Sequence, residues 1–381
     1  MTGTPSRRYL DNAATSWPKP EPVLAAWNRA AREVGAAAGR AAYRSAVEAD
    51  AIRQRARAAA ARLLGGVDPA RVALPAGCTL GLHLAIHGLV RPGDHVIATA
   101  ADHNAVLRPL HALARRGAAD LTILPCDGLG RVDPAAVAAA WRPATRLVAC
   151  PHASNVTGAI QDVAALAAVA HARGGILLVD AAQTLGQIPL DVAALGADVV
   201  AAPAHKWLHG TAGVGLLWAR AGIEPEPLVQ GGTGSRSESL DMPAAFLDRM
   251  EPGTPDVPAL AACAAAAEWL EDRGLAATGA ACRELADACA ARLRSIGGVQ
   301  VFAAPGAPIV SFTVEGYAPA DVAVILEQAA GIEVRSGFHC AACVHEHLGI
   351  SAGGTVRASF GPSNDPADVD AIVRVVETIR G

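Results

Sequence analysis

Seven short aliphatic runs separated by Ala-rich stretches of helix length constrain this chain more than any other feature. The runs at 72–74, 95–99, 121–124, 146–150, 176–179, 198–201 and 213–218 read as strands. Several are apolar throughout instead of alternating, which is the pattern of a strand covered on both faces. Helical patterns at 45–64, 80–90 and 163–173 fall between or ahead of them. Such alternation predicts an α/β architecture with a mostly parallel sheet. The arginines at 53, 55, 57 and 62 of the first helix do not share a face, so that helix is expected to be solvated.

The pattern changes beyond residue 255. Two Ala-rich helices, 257–272 and 276–295, give way to strand, helix, strand, turn, strand and helix, the order of an α+β domain. At 381 residues the chain is long enough for two domains. The expected division is an N-terminal arm at 1–20, a large domain at 21–255 and a small domain at 256–381.

Composition removes several functional classes. The net charge of −4 offers no electrostatic footprint for nucleic acid. No basic amphipathic stretch suggests a membrane surface, and no apolar run reaches membrane-spanning length. Residues 1–8 are polar, without the apolar core of a secretory leader. The eight cysteines are scattered, as expected of thiols in a reducing compartment, and the expected location is cytoplasmic.

In a parallel sheet, ligands bind beyond the carboxyl ends of the strands, so polar residues there are the candidates for chemistry. Asp180 ends the run Ile176-Leu177-Leu178-Val179, with Gln183 three residues on. Such a carboxylate suits a pyridine nitrogen, although an Asp after a strand also serves as a helix cap. Lys206 follows the run at 198–201, inside Pro203-Ala204-His205-Lys206-Trp207-Leu208-His209-Gly210. A lysine held in a tight turn after a buried strand is placed as a Schiff-base lysine must be. His103 and Asn155 occupy two further strand-end loops. Pro75-Ala76-Gly77-Cys78-Thr79 opens a helix, where free N–H groups favour a phosphate.

A second concentration of reactive groups spans Arg335-Ser336-Gly337-Phe338-His339-Cys340-Ala341-Ala342-Cys343-Val344-His345. Structural zinc needs a second ligand pair, and no further Cys-X-X-Cys exists, so no metal site is expected. The spacing fits a nucleophilic thiol at Cys340 with Cys343 as an accessory or packing residue, and it also permits a redox pair. Arg357, in a later alternating strand, offers a bidentate clamp for a carboxylate.

Taken in order, Tyr9-Leu10-Asp11-Asn12-Ala13-Ala14-Thr15, Val179-Asp180-Ala181-Ala182-Gln183, His205-Lys206, Gly231-Gly232-Thr233-Gly234, Glu251-Pro252-Gly253-Thr254-Pro255, Arg335 to Ala341 and Gly354-Thr355-Val356-Arg357 carry a resemblance. The chain resembles the class V PLP-dependent aminotransferase-fold family, and within it the cysteine desulfurase and selenocysteine lyase branch. The resemblance implies the PLP-dependent transferase fold of type I, like that of aspartate aminotransferase, and pyridoxal 5'-phosphate as cofactor. It makes Lys206 the Schiff-base lysine, Asp180 the partner of the pyridine nitrogen and His103 the stacking imidazole. Gln183 and Asn155 would lie near the ring oxygen. Thr79, Cys78 and His205 would meet the phosphate, with Thr254 arriving from the second subunit of a homodimer. Arg357, Arg335, Asn155 and Asn12 would face the substrate, although Asp11 and Asn12 read locally as turn residues.

Cys340 matches the sulfur-accepting cysteine of that branch. The implied reaction converts L-cysteine, or L-selenocysteine, to L-alanine and leaves sulfur on Cys340 for an acceptor protein or small thiol. Transamination, epimerisation and a non-catalytic binding role are the alternatives. Two departures stand out: Pro203-Ala204 replaces the family's Ser-Gly, and Cys343 replaces an apolar residue.

Overall fold

The computed structural model describes residues 6–350 and 353–381; the first five residues of the expected arm lie outside them. Thirteen strands are present. They are β1 (Arg8–Tyr9), β2 (Val72–Ala73), β3 (Asp94–Thr99), β4 (Ala119–Leu124), β5 (Thr145–Pro151), β6 (Ile176–Asp180) and β7 (Val199–Pro203). After β8 (Gly215–Ala219) come β9 (Val299–Phe302), β10 (Ile309–Val314), β11 (Ile332–Glu333), β12 (Arg335–Gly337) and β13 (Thr355–Ser359).

The large sheet runs in the order β2-β8-β7-β6-β5-β3-β4. Strands β4, β3, β5, β6 and β7 are parallel, whereas β8 pairs antiparallel with both β7 and β2. The apolar runs have a direct cause: every residue of β6, β7 and β8 is buried. Along β6, Leu177 and Val179 face one core while Leu178 faces the other, the period of two expected of a covered strand. The edge strand β4 is only partly covered instead, with Thr122 half-buried and Ile123 exposed. The strand order reverses between β3 and β5, and that reversal opens a crevice at their carboxyl ends.

The second sheet is antiparallel, in the order β12-β13-β10-β9. Helices Leu275–Arg294, Pro319–Ala330 and Pro366–Arg380 cover it. Their core holds Phe312, Val356, Leu326 and Ile372, and also Leu10 from the N-terminal arm. Helix Val257–Arg273 instead contributes Ala259, Leu260, Ala262 and Leu270 to the core of the large sheet. The change from one core to the other therefore falls at Gly274. The arm packs with the second sheet: β1 and β11 form a separate two-stranded parallel sheet beside it, and the Asn12 side chain donates to the Ser359 carbonyl at 3.0 Å.

The helix Arg44–Leu63 is less solvated than its sequence suggests. Arg53, Arg55 and Arg62 pair with Asp50, Glu268 and Glu271. Arg57 is buried, because its face packs under β2, and it forms a bidentate pair with Glu251 at 2.7 and 2.9 Å. The guanidinium also donates to the Val72 carbonyl. This pair fixes the start of the loop that carries Thr254. No helix among the described residues is long and apolar enough to cross a membrane. Removing one member of a buried ion pair strands its partner, at a cost of about 3–5 kcal/mol. Arg57→Ala is expected to lower stability by about that amount in urea unfolding; a loss below about 0.5 kcal/mol, as at ordinary surface positions, would contradict a structural role.

Candidate active site

The crevice is a cavity of about 350 Å³, within the range that admits a cofactor-sized ligand. Its walls come from four parallel strand ends: His103 after β3, Asn155 after β5, Asp180 and Gln183 at β6, and His205 with Lys206 after β7. Cys78 and Thr79 enter from the first turn of the helix Cys78–Leu89. Gly77 precedes that turn at φ 101°, a left-handed conformation that glycine adopts without penalty. Gly215 is needed opposite, since a Cβ there would lie 2.4 Å from the Gly77 carbonyl carbon.

Asp180 and Lys206 face the same space from adjoining strands, in the register that sets Asp180 against Ala201. One Asp180 oxygen, Oδ1, accepts the Ala182 N–H at 2.9 Å and lies 3.9 Å from the Cys78 thiol. Its other oxygen accepts no hydrogen bond from the protein among the described residues, and neither does the Lys206 amine donate one. Burial pushes the Asp180 carboxyl up and the Lys206 amine down, and each charge partly restores the other. A carboxylate with a free oxygen at one end and a partly desolvated amine at the other suits a pyridine ring bearing an aldehyde. The free N–H groups of the Cys78–Leu89 helix suit its phosphate. The residues present therefore fit PLP.

His103 is neutral: burial, then the charges of Lys206, Arg335, Arg357 and Arg108, lower its pKa to about 4. Its Nδ1 accepts the Ala105 N–H at 3.0 Å, which leaves the ring proton on Nε2. Gln183 is held between the Ala13 carbonyl and the Trp207 indole N–H, at 3.2 and 2.7 Å. The Asn155 amide donates to the His339 carbonyl at 2.7 Å.

Cys340, Arg357, Asn12 and Thr254 do not line the cavity. Cys340 connects to it through Arg335, which does line it and whose Nη2 lies 3.3 Å from the Cys340 sulfur. Arg357 connects through Asn155, whose backbone carbonyl it reaches at 3.1 Å. Arg335 and Arg357 stand opposite one another across β12 and β13. Asn12 ties the arm to Ser359 and Asn364. Thr254 lines a neighbouring depression that shares Ala76 and Gly213 with the cavity. His339 and Cys340 are consecutive non-glycine residues at φ 51° and 59°, a strained pair held by Asn104 N–H on the Cys340 carbonyl at 2.8 Å and by Asn155 on that of His339. Among the described residues no cluster of three or more His, Cys, Asp or Glu side chains is arranged to hold a metal ion.

Two contributions escape sequence reasoning. Asp11, which reads as a turn residue, is the counterion of Arg357 at 2.9 Å. Thr15, Ser16 and Lys19 all donate to the carbonyl of His205, at 3.0, 3.2 and 2.8 Å, and so brace the residue before Lys206. The only sequence signal for either is the recurrence of polar residues in the arm, at 11, 12, 15, 16 and 19.

With this geometry described, the chain can be assigned. It belongs to the class V aminotransferase family, whose pattern it matches over residues 8–372. It is 33% identical to a probable cysteine desulfurase of Methanothermobacter thermautotrophicus, over 98% of this chain and 94% of that one. Identity to the Escherichia coli cysteine desulfurase CsdA is 31%, covering 97% and 93%. The apo structure of a cysteine desulfurase from Thermococcus onnurineus superposes with a TM-score of 0.90 at 30% identity, covering 98% and 94%. The fold is therefore the type I PLP-dependent fold.

The histidines set the acid response. Burial lowers His103, His152 and His205 to about 4, His209 to about 3 and His339 to about 2. Unfolded, these five rings take up protons below about pH 6.5 that the folded chain refuses. Asp102, pushed up to about 8, and Asp180 act in the opposite sense, but they are two groups against five. Stability is expected to fall as pH drops from about 6.5 to about 4. A urea midpoint at pH 5 equal to or above that at pH 7 would contradict this.

Proposed function

We propose that the chain is a PLP-dependent cysteine desulfurase that passes sulfur from L-cysteine to Cys340. One observation carries this reading: the cavity that presents Asp180 and Lys206 is joined, through Arg335, to a thiol on a strained loop. The named relatives support the same activity.

When bound, PLP supplies an aldehyde that condenses with an amine and a protonated ring that draws electrons away from Cα. Asp180, through its free oxygen, would hold the ring-nitrogen proton. Thr79, Cys78, the helix N-terminus and His205 would grip the phosphate, and Thr254 from a second copy would complete that grip in a homodimer. Gln183 and Asn155 would hold the ring oxygen. His103 would stack on the ring and carry a transferable proton on Nε2.

The substrate carboxylate is taken by Arg357 with Arg335, Asn155 and Asn12 around it, and Asp11 yields its hold on Arg357 in exchange. Lys206 would remove the Cα proton. The Cys340 thiolate takes the substrate sulfur as the Cβ–S bond breaks. In total, L-cysteine and the Cys340 thiol become L-alanine and a Cys340 persulfide. An acceptor protein or small thiol then receives the sulfur. All eight cysteines are free thiols, in keeping with a cytoplasmic location.

Cys340→Ala separates this reading from transamination or epimerisation, whose chemistry ends at Cα. The variant is expected to keep the visible absorbance of bound PLP and its change on adding L-cysteine. Alanine formation should fall by at least ~100-fold, the loss of the nucleophile. Turnover of L-cysteine at the wild-type rate would move the assignment to an aminotransferase.

A further inference from the structure

The chemistry above leaves Cys343 idle, although it lies three residues from the sulfur-carrying thiol. Cys340 lies immediately before Ala341, the N-cap of the short helix Ala342–His347, and Cys343 sits in the first turn of that helix. Both thiols are free and partly exposed. Residues so spaced across one turn can meet the Cα separation a disulfide requires.

A second group lies near this pair. The Asn104 N–H that docks the Cys340 carbonyl belongs to the turn that also carries Asp102. Asp102 is fully buried, and its Oδ2 accepts from the Thr99 N–H and hydroxyl, both at 2.8 Å. Its Oδ1 is buried with no partner. Cys343 packs against the apolar cluster that contains Val106 and Leu107, just beyond the same turn. Burial pushes the Cys343 thiol up, with Glu346 and Asp102 adding to it, and burial pushes the Asp102 carboxyl up to about 8. A carboxyl that titrates near neutrality is able both to take and to return a proton.

We propose that Cys343 is a resolving thiol that discharges the Cys340 persulfide as free sulfide, with Asp102 as its proton carrier. This rests on the desulfurase reading, which supplies the persulfide. Asp102 takes the Cys343 proton, and the thiolate attacks the Cys340 sulfur. The persulfide S–S bond breaks, a Cys340–Cys343 disulfide forms, and the outer sulfur departs with the proton held by Asp102, as hydrosulfide. The outer sulfur is reduced while the two thiols are oxidised, so the step needs no further oxidant. A small dithiol reopens the ring by exchange. A protein acceptor competes with Cys343 for the same sulfur, so a subunit without an acceptor releases its sulfide and then stops until a thiol resets it.

The test uses holoenzyme given one equivalent of L-cysteine per subunit and no other thiol, quenched by alkylation and read by peptide mass spectrometry alongside alanine and sulfide. Wild-type protein is expected to form first-turnover alanine, a Cys340–Cys343 disulfide and matching sulfide. Cys343→Ser should form the same first-turnover alanine but retain the persulfide on Cys340, with sulfide release at least ~10-fold slower. Asp102→Asn should slow disulfide formation relative to persulfide formation by about 10-fold. A lasting wild-type persulfide beside an alkylated Cys343, or sulfide release from Cys343→Ser at the wild-type rate, would overturn the proposal. Absence of alanine would overturn the desulfurase reading instead. In that event inorganic polysulfide loads Cys340 directly: disulfide with sulfide release then supports the resolving role, and a stable persulfide refutes it.

Discussion

A carboxylate and an amine held in one cavity by two adjoining strands is the constraint on which the rest of this structure depends. Neither group is comfortable there: burial opposes the charge of both, and no other protein charge neutralises the pair. The parallel pairing of β6 with β7 keeps them together, and full burial of both strands keeps the pairing in register. A ring with a basic nitrogen at one end and an aldehyde at the other relieves both. The site is thus arranged for a cofactor that binds at two points, with the helix at Cys78 as a third.

In the proposed reading the second sheet is the substrate side of that pair. It brings Arg335, Arg357 and the Cys340 loop to the crevice on β12 and β13. The N-terminal arm links the two halves: Asp11 holds Arg357, and Thr15, Ser16 and Lys19 hold the carbonyl next to Lys206. In the same reading, a substrate carboxylate that displaced Asp11 would pull on the segment that braces the lysine turn. The strained backbone at His339 and Cys340 is stabilised by two hydrogen bonds to the large domain, so the thiol loop is set by the crevice as much as by its own sequence.

What could be read from the sequence follows from burial. Strands covered on both faces become unbroken aliphatic runs, so β3 and β5 to β8 were visible, and the polar residues at their ends marked Asp180, Lys206, His103 and Asn155. Arg57 was not visible, because its partner Glu251 lies 194 residues away and helical periodicity carries no trace of it. The Asp11–Arg357 pair, 346 residues apart, escaped for the same reason. Six of the ten buried residues of the helix Val257–Arg273 are alanine, and alanine does not declare which of two cores it will join. Gln183 and Asn155 line the cavity, but their internal hydrogen bonds depend on loops that only the assembled fold brings near.

The central claim is that Lys206 carries the cofactor opposite Asp180. Sodium borohydride fixes PLP irreversibly to the lysine that holds it, and peptide mapping then locates the adduct. The account predicts a single phosphopyridoxyl group on Lys206, absent from Lys206→Ala. An adduct on Lys19, or on no lysine at all in protein that retains bound PLP, would contradict it.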